Sequence, residues 1–375
     1  MTRRPPARKK SVKSAPALPL AKIRAEIDAI DQQLQTLISR RARVAQTVGV
    51  SKRAAGTADF YRPEREAAVL QAVIERNQGP LSDEEMVRLF REIMSACLAQ
   101  QEPLKIAFLG PEGTFTQQAV FKHFGHSVRA LPLPAIDEVF REVEAGVADY
   151  GVVPIENSTE GTVSHTADMF LLSPLKICGE VELRVHQHLL GRMESLQRIE
   201  RICSHQQSLA QCRGWLAENL AGVERIAVSS NAEAARRARD EAGTAAIAGS
   251  AAAEVYGLSV LVPEIEDRPD NTTRFLIVGR KLLEPSGRDR TTLLLSAPDT
   301  LGSGALLKLL VPFAEHGISM SRVESRPSRR KKWDYVFFVD IEGHAEDAAV
   351  ALALAKVRKV ASLVKILGSY PRAVL

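Results

Sequence analysis

The sequence has few cysteines and no long apolar run, and both absences restrict what the protein can be. Its 375 residues include four cysteines, with no CxxC pair and no histidine at zinc-finger spacing: Cys97, Cys178, Cys203 and Cys212. This predicts reduced core thiols rather than disulfides or a zinc site. No stretch approaches the roughly eighteen apolar residues of a membrane span, and no signal-peptide pattern is present. We therefore expect a cytoplasmic protein without a membrane partner.

Acidic residues are missing from the first twenty positions, which carry six basic ones. Without those six the chain has 44 basic and 45 acidic residues, so its net charge of +5 belongs to the N-terminal tail. Four prolines in the same stretch predict that residues 1–19 are disordered. This distribution favours a solvated terminus over a nucleic-acid-binding arm or a transit peptide, and we expect no nucleic-acid partner.

Residues 20–102 contain no strand pattern and are predicted to be all-helical. Apolar residues recur at steps of three and four from Ile23 to Val48, which predicts one helix of about thirty residues. A second helix is predicted from Pro63, because proline suits the first helical turn. Ser82 with Glu85 three residues later has the spacing of a capping box and predicts the start of a third helix.

The predicted secondary structure changes to alternating strands and helices at residue 103. Short apolar runs such as "LKIAFLG", "YGVVPI", "AAIAG" and "RFLIVG" alternate with helical stretches up to residue 281, which predicts an α/β domain whose ligands bind at strand carboxyl ends. The stretch "LLEPSGRDR" is read as a linker. Residues 290–372 then follow a βαββαβ order, which predicts a small α+β domain of the ferredoxin-like type.

Basic residues on the predicted first helix have a spacing that suits anion binding. Arg41 and Lys52 lie on nearly the same face, roughly 16 Å apart along the axis, so that their long side chains could grip one small dianion. Arg24 lies roughly 25 Å before Arg41 and points about 100° aside. One small ligand cannot reach both arginines in one chain, which implies an intertwined dimer if both serve a ligand.

The strings "RAEIDAIDQQLQTLISRRARVAQTVGVSK", "PERE" and "REIMSACLAQQ" resemble the all-helical chorismate mutases. The resemblance implies that Arg24 is donated across a dimer and that Arg41 and Lys52 bind the carboxylates and ether oxygen of chorismate. It also implies that Glu66 accepts from the substrate hydroxyl and that Gln101 donates to the ether oxygen. The sequence departs from this pattern at Arg62, where some members have an acid, and at Cys97, where some have serine.

Polar strings at predicted element ends mark the α/β segment. "GPEGTF" is a glycine-rich strand-to-helix turn that could present N–H groups to an anion, although it is neither a Walker A loop nor a full dinucleotide fingerprint. Together with "IENSTEGT", "SHQQSLAQC" and "NTTRF" it is similar to the prephenate dehydratases, whose two α/β lobes resemble type II periplasmic binding proteins. The resemblance implies that Thr273 is catalytic and that Arg274 binds a substrate carboxylate. The other residues expected to line the cleft are Thr114, Glu156, Asn157 and Ser158.

The last segment resembles an ACT regulatory domain of the phenylalanine-binding type. The motifs that carry this resemblance are "GAL" and "ESRP". It implies an amino-acid site at a dimer interface, formed by Gly304, Ala305, Leu306, Glu324, Ser325, Arg326 and Pro327. Ser303 replaces the family's usual proline before the first motif. A basic loop at 329–332 is interpreted as a solvated turn.

Taken together, residues 20–372 are similar to the bifunctional P-protein family of phenylalanine biosynthesis. The resemblance implies conversion of chorismate to prephenate and then to phenylpyruvate without metal or cofactor, inhibition by L-phenylalanine, and a homodimer or higher homo-oligomer. Two alternatives stay open: a catalytically inactive ligand sensor built on the same cleft, and an arogenate dehydratase that takes the amino analogue of prephenate.

Overall fold

The computed structural model describes residues 19–54, 61–298, 301–328 and 334–374, and the side chains of residues 52–54 are not among the described groups. The basic tail up to residue 18, the Lys52 side chain and the basic loop at 329–332 therefore lie outside the described residues.

The helical segment forms three α-helices, as its periodicity predicts. They are α1 (Leu20–Ala54), α2 (Pro63–Arg76) and α3 (Asp83–Ala99). The predicted cap is confirmed, because Ser82 Oγ accepts a hydrogen bond from the Glu85 N–H at 3.2 Å. Helix α1 contacts α3, while α2 packs against α3 and against the last strand of the chain. Most of α1 is exposed.

The α/β segment consists of two lobes. Lobe 1 holds a sheet of order β2-β1-β3-β11-β5, with the short β4 paired to β3. Its elements are β1 (Lys105–Leu109), α4 (Phe115–Phe124), β2 (Arg129–Leu133), α5 (Ile136–Glu144), β3 (Tyr150–Asn157), β4 (Gly161–Thr162), α6 (Ser164–Leu172), β5 (Lys176–Arg184) and, after the second lobe, β11 (Thr272–Gly279). Strand β11 runs antiparallel to both neighbours.

Lobe 2 holds a sheet of order β10-β6-β9-β7-β8. Its elements are β6 (His188–Gly191), β7 (Arg201–His205), α7 (Gln206–Gln211), α8 (Arg213–Asn219), β8 (Glu224–Val228), α9 (Asn231–Asp240), β9 (Thr244–Ala248), α10 (Ser250–Tyr256) and β10 (Ser259–Val262). Two connections join the lobes, one before β6 and one after β10. The predicted two-lobed α/β architecture is confirmed, with a cleft between the lobes.

The C-terminal domain has the predicted βαββαβ order and a four-stranded antiparallel sheet of order β13-β14-β12-β15. Its elements are β12 (Asp289–Ser296), α11 (Ala305–Glu315), β13 (Met320–Pro327), β14 (Tyr335–Glu342), α12 (Ala348–Val360) and β15 (Leu363–Pro371). Helices α11 and α12 cover one face of this sheet. The other face packs on lobe 1, where Phe338 and Leu367 join a core cluster with Ile177 and Leu276.

The four cysteines are free and buried, as expected for core thiols. Among the residues that the structure describes, no helix combines the length and the apolar character needed to cross a membrane.

The C-terminal domain approaches lobe 1 closely at Gly368 of β15. A Cβ atom at this position would collide with the Ile177 carbonyl oxygen and lie 2.8 Å from the Ile177 nitrogen. Because backbone cannot move aside as a side-chain end can, we expect Gly368→Ala to destabilise the protein by about 1–3 kcal/mol or more. Urea denaturation of the full chain measures this loss. The matched control is Gly222→Ala, whose added Cβ would have no atom within 4 Å; equal stability of the two variants would contradict the prediction.

Candidate active sites

The cleft between the lobes contains a cavity of about 380 Å³. Lobe 1 contributes the ends of β1, β3 and β11 and the start of α4, and lobe 2 contributes α7 and the start of α9. Of the predicted dehydratase residues, Thr114, Asn157 and Thr273 line this cavity. The loop "SHQQSLAQC" also reaches it, through His205, Gln207, Ser208 and Gln211.

Asn157 and Thr273 are paired across β3 and β11 and joined by a hydrogen bond. The Asn157 Nδ2 donates to Thr273 Oγ1 and to Asn271 Oδ1, both at 2.8 Å. The Asn157 Oδ1 accepts from the N–H groups of Thr159 at 2.9 Å and Glu160 at 3.0 Å, which fixes the orientation of the amide. The Thr273 oxygen is thus an acceptor toward Asn157, and its own proton remains available for donation elsewhere.

Two helix N-termini open on the same cavity. Thr114 caps α4, with its Oγ1 accepting from Gln117 N–H at 3.4 Å, and Ser230 caps α9, with its Oγ accepting from Glu233 N–H at 3.0 Å. Helix N-termini carry partial positive charge and unpaired N–H groups, so both ends favour an anion in the cleft. No lysine or arginine is among the described residues that line the cavity.

Arg274 does not reach the cleft, which corrects the expectation that it binds substrate there. Its side chain is 11% exposed and lies on the opposite face of the sheet. Its Nε donates to Glu180 at 2.8 Å, Nη1 to Asp340 at 2.7 Å, and Nη2 to the Tyr370 hydroxyl at 2.9 Å. Because successive strand residues alternate between faces, Thr273 and Arg274 cannot both point into one cleft.

Glu156 and Ser158 are also directed away from the cavity, contrary to expectation. The Glu156 carboxylate lies 3.3 Å from Nε of Arg322 in the C-terminal domain. The Ser158 Oγ accepts from Thr272 N–H at 2.9 Å and is 3.4 Å from the carbonyl of Asp270, so it fastens the end of β3 to the start of β11. Glu156 thus contacts the C-terminal domain, and Ser158 holds the end of β3 against the start of β11.

Sequence reasoning missed several amides that build the cleft. Asn271, 4% exposed, accepts from Asn157, and Gln187, 1% exposed, donates to Ser208 Oγ and Gln211 Oε1 at 3.2 Å each. Asn231, at the start of α9, donates to Ser208 Oγ at 2.9 Å. Asn271 opens the quoted string "NTTRF" and could have been found there, whereas Gln187 and Asn231 come together only through the fold of lobe 2.

The predicted mutase residues are not all brought together in one chain. Arg24 and Arg41 are exposed on α1. Gln101 packs on the same helix, where its Nε2 donates to the Ala45 carbonyl at 3.0 Å and its buried Oε1 has no partner among the described residues. Glu66 lies apart from them in a cavity of about 40 Å³ between α2, α3 and lobe 1, with its Oε1 3.9 Å from Arg91 Nε.

Burial dominates the electrostatics of this small cavity. It raises the pKa of Glu66 from its usual 4.5 to about 7, although the nearby Arg91 opposes the shift. Burial also lowers the pKa of His123 to about 3, so that imidazole is neutral, with its Nε2 3.4 Å from the Tyr61 hydroxyl. The side chain of Glu66 is 17% exposed.

The two motifs of the C-terminal domain lie on α11 and β13. Gly304 has a φ of +75° and precedes the first turn of α11, which begins with Ala305 and Leu306. The string "ESRP" lies on the edge strand β13, where Glu324 and Arg326 turn toward lobe 1 while Ser325 and Pro327 are exposed. Glu324 Oε2 accepts from Thr162 Oγ1 at 2.6 Å, and Arg326 Nη2 donates to Asp168 at 3.1 Å.

Comparison with known proteins assigns all three domains. The family model for chorismate mutase type II matches residues 23–102, that for prephenate dehydratase residues 106–282, and that for the ACT domain residues 291–359. The bifunctional chorismate mutase/prephenate dehydratase of Stutzerimonas stutzeri is 56% identical over 95% of this chain and 98% of its own length. The protein of the same name from Pseudomonas aeruginosa is 55% identical over the same shares.

A solved structure gives the same assignment for the last two domains. The prephenate dehydratase of Arthrobacter aurescens in complex with L-Phe is 38% identical with a TM-score of 0.66, and the match covers 72% of this chain and 90% of that one. A helical mutase domain, a two-lobed dehydratase domain and an ACT domain define a multidomain enzyme. The chain belongs to the family of bifunctional chorismate mutase/prephenate dehydratases.

The raised pKa of Glu66 gives a pH-dependent contribution to stability. The folded chain binds a proton at Glu66 more tightly than the unfolded chain does, so this contribution is present below about pH 4.5 and is lost as the pH rises through about 7. We expect Glu66→Gln, which mimics the protonated carboxyl, to be more stable relative to wild type at pH 8 than at pH 5. Urea denaturation at both pH values measures this difference, and Glu75→Gln, at an exposed position of the same helix, is the control. A Glu66→Gln effect that is equal at the two pH values would disprove it.

Proposed function

We propose that the chain converts chorismate to prephenate in its helical domain and prephenate to phenylpyruvate in the cleft, with L-phenylalanine bound by the ACT domain as a feedback inhibitor. The observation that carries the dehydratase assignment is the Thr273 hydroxyl, whose oxygen is held by Asn157 and whose proton is available in a cleft lined by helix N-termini. Membership of the bifunctional family supports both activities. The four buried free thiols accord with the reducing cytoplasm that we propose as its compartment.

The dehydratase reaction needs little from the protein beyond positioning and polarisation. Prephenate loses its ring carboxylate as CO₂ while the 4-hydroxyl leaves as hydroxide, which takes a proton from solvent to become water, and formation of the aromatic ring supplies the driving force. The electron pair of the breaking C–CO₂ bond enters the ring as the C–O bond breaks. Thr273 donates a hydrogen bond to the departing oxygen, because a threonine hydroxyl is too weak an acid to transfer its proton outright. The N-termini of α4 and α9 bind anionic groups of the substrate.

Asn157 acts on Thr273 in this proposal rather than on the substrate alone. Its Nδ2 occupies a lone pair of the Thr273 oxygen, which turns the threonine proton away from the sheet. Prephenate is the proposed substrate, rather than arogenate, because the fused mutase domain supplies prephenate.

The mutase reaction is a rearrangement that needs no nucleophile and no proton transfer. Catalysis then consists of holding the reactive conformer and stabilising negative charge on the ether oxygen. Gln101 keeps one N–H on Ala45, and its second amide N–H is the proposed donor to the ether oxygen. Arg41 and Lys52 are the proposed cationic ligands of chorismate, whereas Glu66, which the resemblance implies as the acceptor for its hydroxyl, lies in the single chain in the separate cavity against lobe 1.

A second copy of the chain is required to complete the proposed mutase site. Apolar residues of α1 are between 38% and 59% exposed in the single chain: Ile23, Ile27, Ile30, Leu34, Leu37, Ile38, Val44 and Val48. An apolar face of this length is unfavourable in water and is typical of an interface between helices. Pairing two copies of α1 would bury it and would bring Arg24 of one chain to the site that contains Arg41 of the other.

The proposed phenylalanine site lies at the start of α11 and on β13. Gly304, with its positive φ, leaves the first N–H groups of α11 open to a carboxylate, and Ser325 and Pro327 line the exposed face of the edge strand. The relative from Arthrobacter aurescens was solved in complex with L-Phe, which supports this ligand. Gly304, Ala305, Leu306, Glu324, Ser325, Arg326 and Pro327 remain the proposed site residues.

Substitutions at Thr273 and Lys52 separate the two activities. We expect Thr273→Ala to reduce phenylpyruvate formation to below about 1% of wild type and to leave prephenate formation intact, since the sites lie in different domains. Thr273→Ser keeps the hydroxyl and should retain more activity than Thr273→Ala. Lys52→Ala should have the converse effect on the two reactions. Stopped assays with chorismate and with prephenate measure both steps; an inactive wild-type chain would favour the ligand-sensor alternative.

Coexpression of two inactive variants tests the proposed exchange of Arg24. Neither Arg24→Ala nor Arg41→Ala homodimers should have appreciable mutase activity. A random mixture contains mixed dimers in which one of the two sites has both arginines, so it should regain about a quarter of the wild-type mutase sites. Separately purified variants mixed without subunit exchange provide the control. A coexpressed mixture as inactive as its parents would mean that each site takes both residues from one chain.

A further inference from the structure

The two strands that carry the dehydratase residues are held from behind by the ACT domain. Thr273 and Asn157 face the cleft, whereas their strand neighbours Arg274 and Glu156, which are paired in the same register, face the other side of the sheet. The register of the two strands shifts between Arg274 and Phe275, which is a β-bulge. A bulge interrupts the ladder and allows local bending, so this end of the strand pair is the part able to shift.

Arg274 is the fixed point of this contact. It is bonded to Glu180 of β5 and to Asp340 and Tyr370 of the ACT domain, and the two carboxylate side chains are 2% and 1% exposed. Removing one partner of such a buried ionic network leaves charges without compensation and is strongly destabilising. The network therefore keeps the two domains docked and is poorly suited to opening and closing.

Arg322 of β13 makes the second contact, and this one is partly solvated. Its Nε lies 3.3 Å from the Glu156 carboxylate, which is 39% exposed, and its Nη2 donates to Thr162 Oγ1 at 3.1 Å. Arg322 also pairs with Glu324, the first residue of the "ESRP" string, and Glu324 accepts from Thr162. Arg322 thus links the proposed phenylalanine strand to the residue that precedes Asn157.

We propose that Arg322 is a positioning residue through which the ACT domain controls the Asn157–Thr273 pair. Phenylalanine that engages β13 would change the position of Glu324 and Arg322, and Glu156 would follow because it is bound to Arg322. Glu156 is covalently joined to Asn157, whose amide orients the Thr273 hydroxyl. A displacement of the bulged end of β3 therefore turns the hydroxyl away from the departing group. This inference rests on the proposed dehydratase activity and its inhibition by phenylalanine.

The test separates phenylalanine binding from its effect. In the full-length protein, Arg322→Gln should still bind phenylalanine in calorimetry. Its residual dehydratase activity at saturating phenylalanine should be at least about fivefold higher than that of wild type, because fivefold is the lower end of usual allosteric coupling. Arg322→Lys keeps the charge and should restore part of the inhibition. The control is Lys356→Gln, which removes an ACT-domain ion pair, to Glu315 at 3.0 Å, that is remote from lobe 1. Mutase activity of each variant reports correct folding.

The possible outcomes distinguish this inference from the proposed function. Equal inhibition of Arg322→Gln and wild type at saturating phenylalanine overturns the role of Arg322 alone. A wild-type chain that phenylalanine does not inhibit overturns both the proposed regulation and the role of Arg322. A double-mutant cycle with Glu156→Gln completes the test, because two residues that act through one contact should have effects that do not add; additive effects on residual activity would also overturn the inference.

Discussion

The return of β11 into the first lobe is the contact on which the rest of the dehydratase domain depends. After the whole second lobe, this strand inserts between β3 and β5 and pairs with both. Closing so long a segment costs conformational entropy, which burial of the apolar residues Phe275 to Val278 offsets. The pairing fixes the two lobes on either side of the cleft and sets Thr273 opposite Asn157.

Because side chains alternate between the two faces of a strand, β3 and β11 face the cleft on one side and the ACT domain on the other. One face supplies an amide and a hydroxyl to the cleft, and the other supplies Arg274 and Glu156 to the ACT domain. Buried ions are costly to desolvate, and the Arg274 network is tolerable because its guanidinium is bonded on three sides. The proposed catalytic and regulatory contacts are therefore separated only by the thickness of one sheet.

The helical domain presents a different situation, because most of the apolar face of its long helix is exposed among the residues that the structure describes. Glu66 instead lies against lobe 1 and the C-terminal segment, where Arg91 Nη2 is 3.5 Å from the Val374 carbonyl. The helical domain and lobe 1 are thus in contact at Glu66, in a cavity that Glu180 of β5 also lines. Assembly of the mutase site and docking of the domains draw on the same three helices.

Local sequence determined a large part of this protein. The spacing of apolar residues predicted α1, the Ser82–Glu85 pair predicted the start of α3, and alternating textures predicted the α/β and βαββαβ domains. The resemblance of short motifs to the prephenate dehydratases implied that Thr114, Asn157 and Thr273 belong to one cleft. The helices and the domain order, by contrast, depend on hydrogen bonds and side-chain periods within a few residues, which a single segment encodes.

Only the tertiary structure decided which way the remaining polar groups point. Arg274 and Glu156 were expected in the cleft and lie behind it, although the period of two along a strand already excluded Arg274 once Thr273 was assigned. Gln187 and Asn231 entered the site without a motif of their own. The physical reason is that Asn157 and Thr273 are 116 residues apart in the chain. The pairing of such distant strands, and the bulge within it, is fixed by packing of whole lobes and not by the residues on either side.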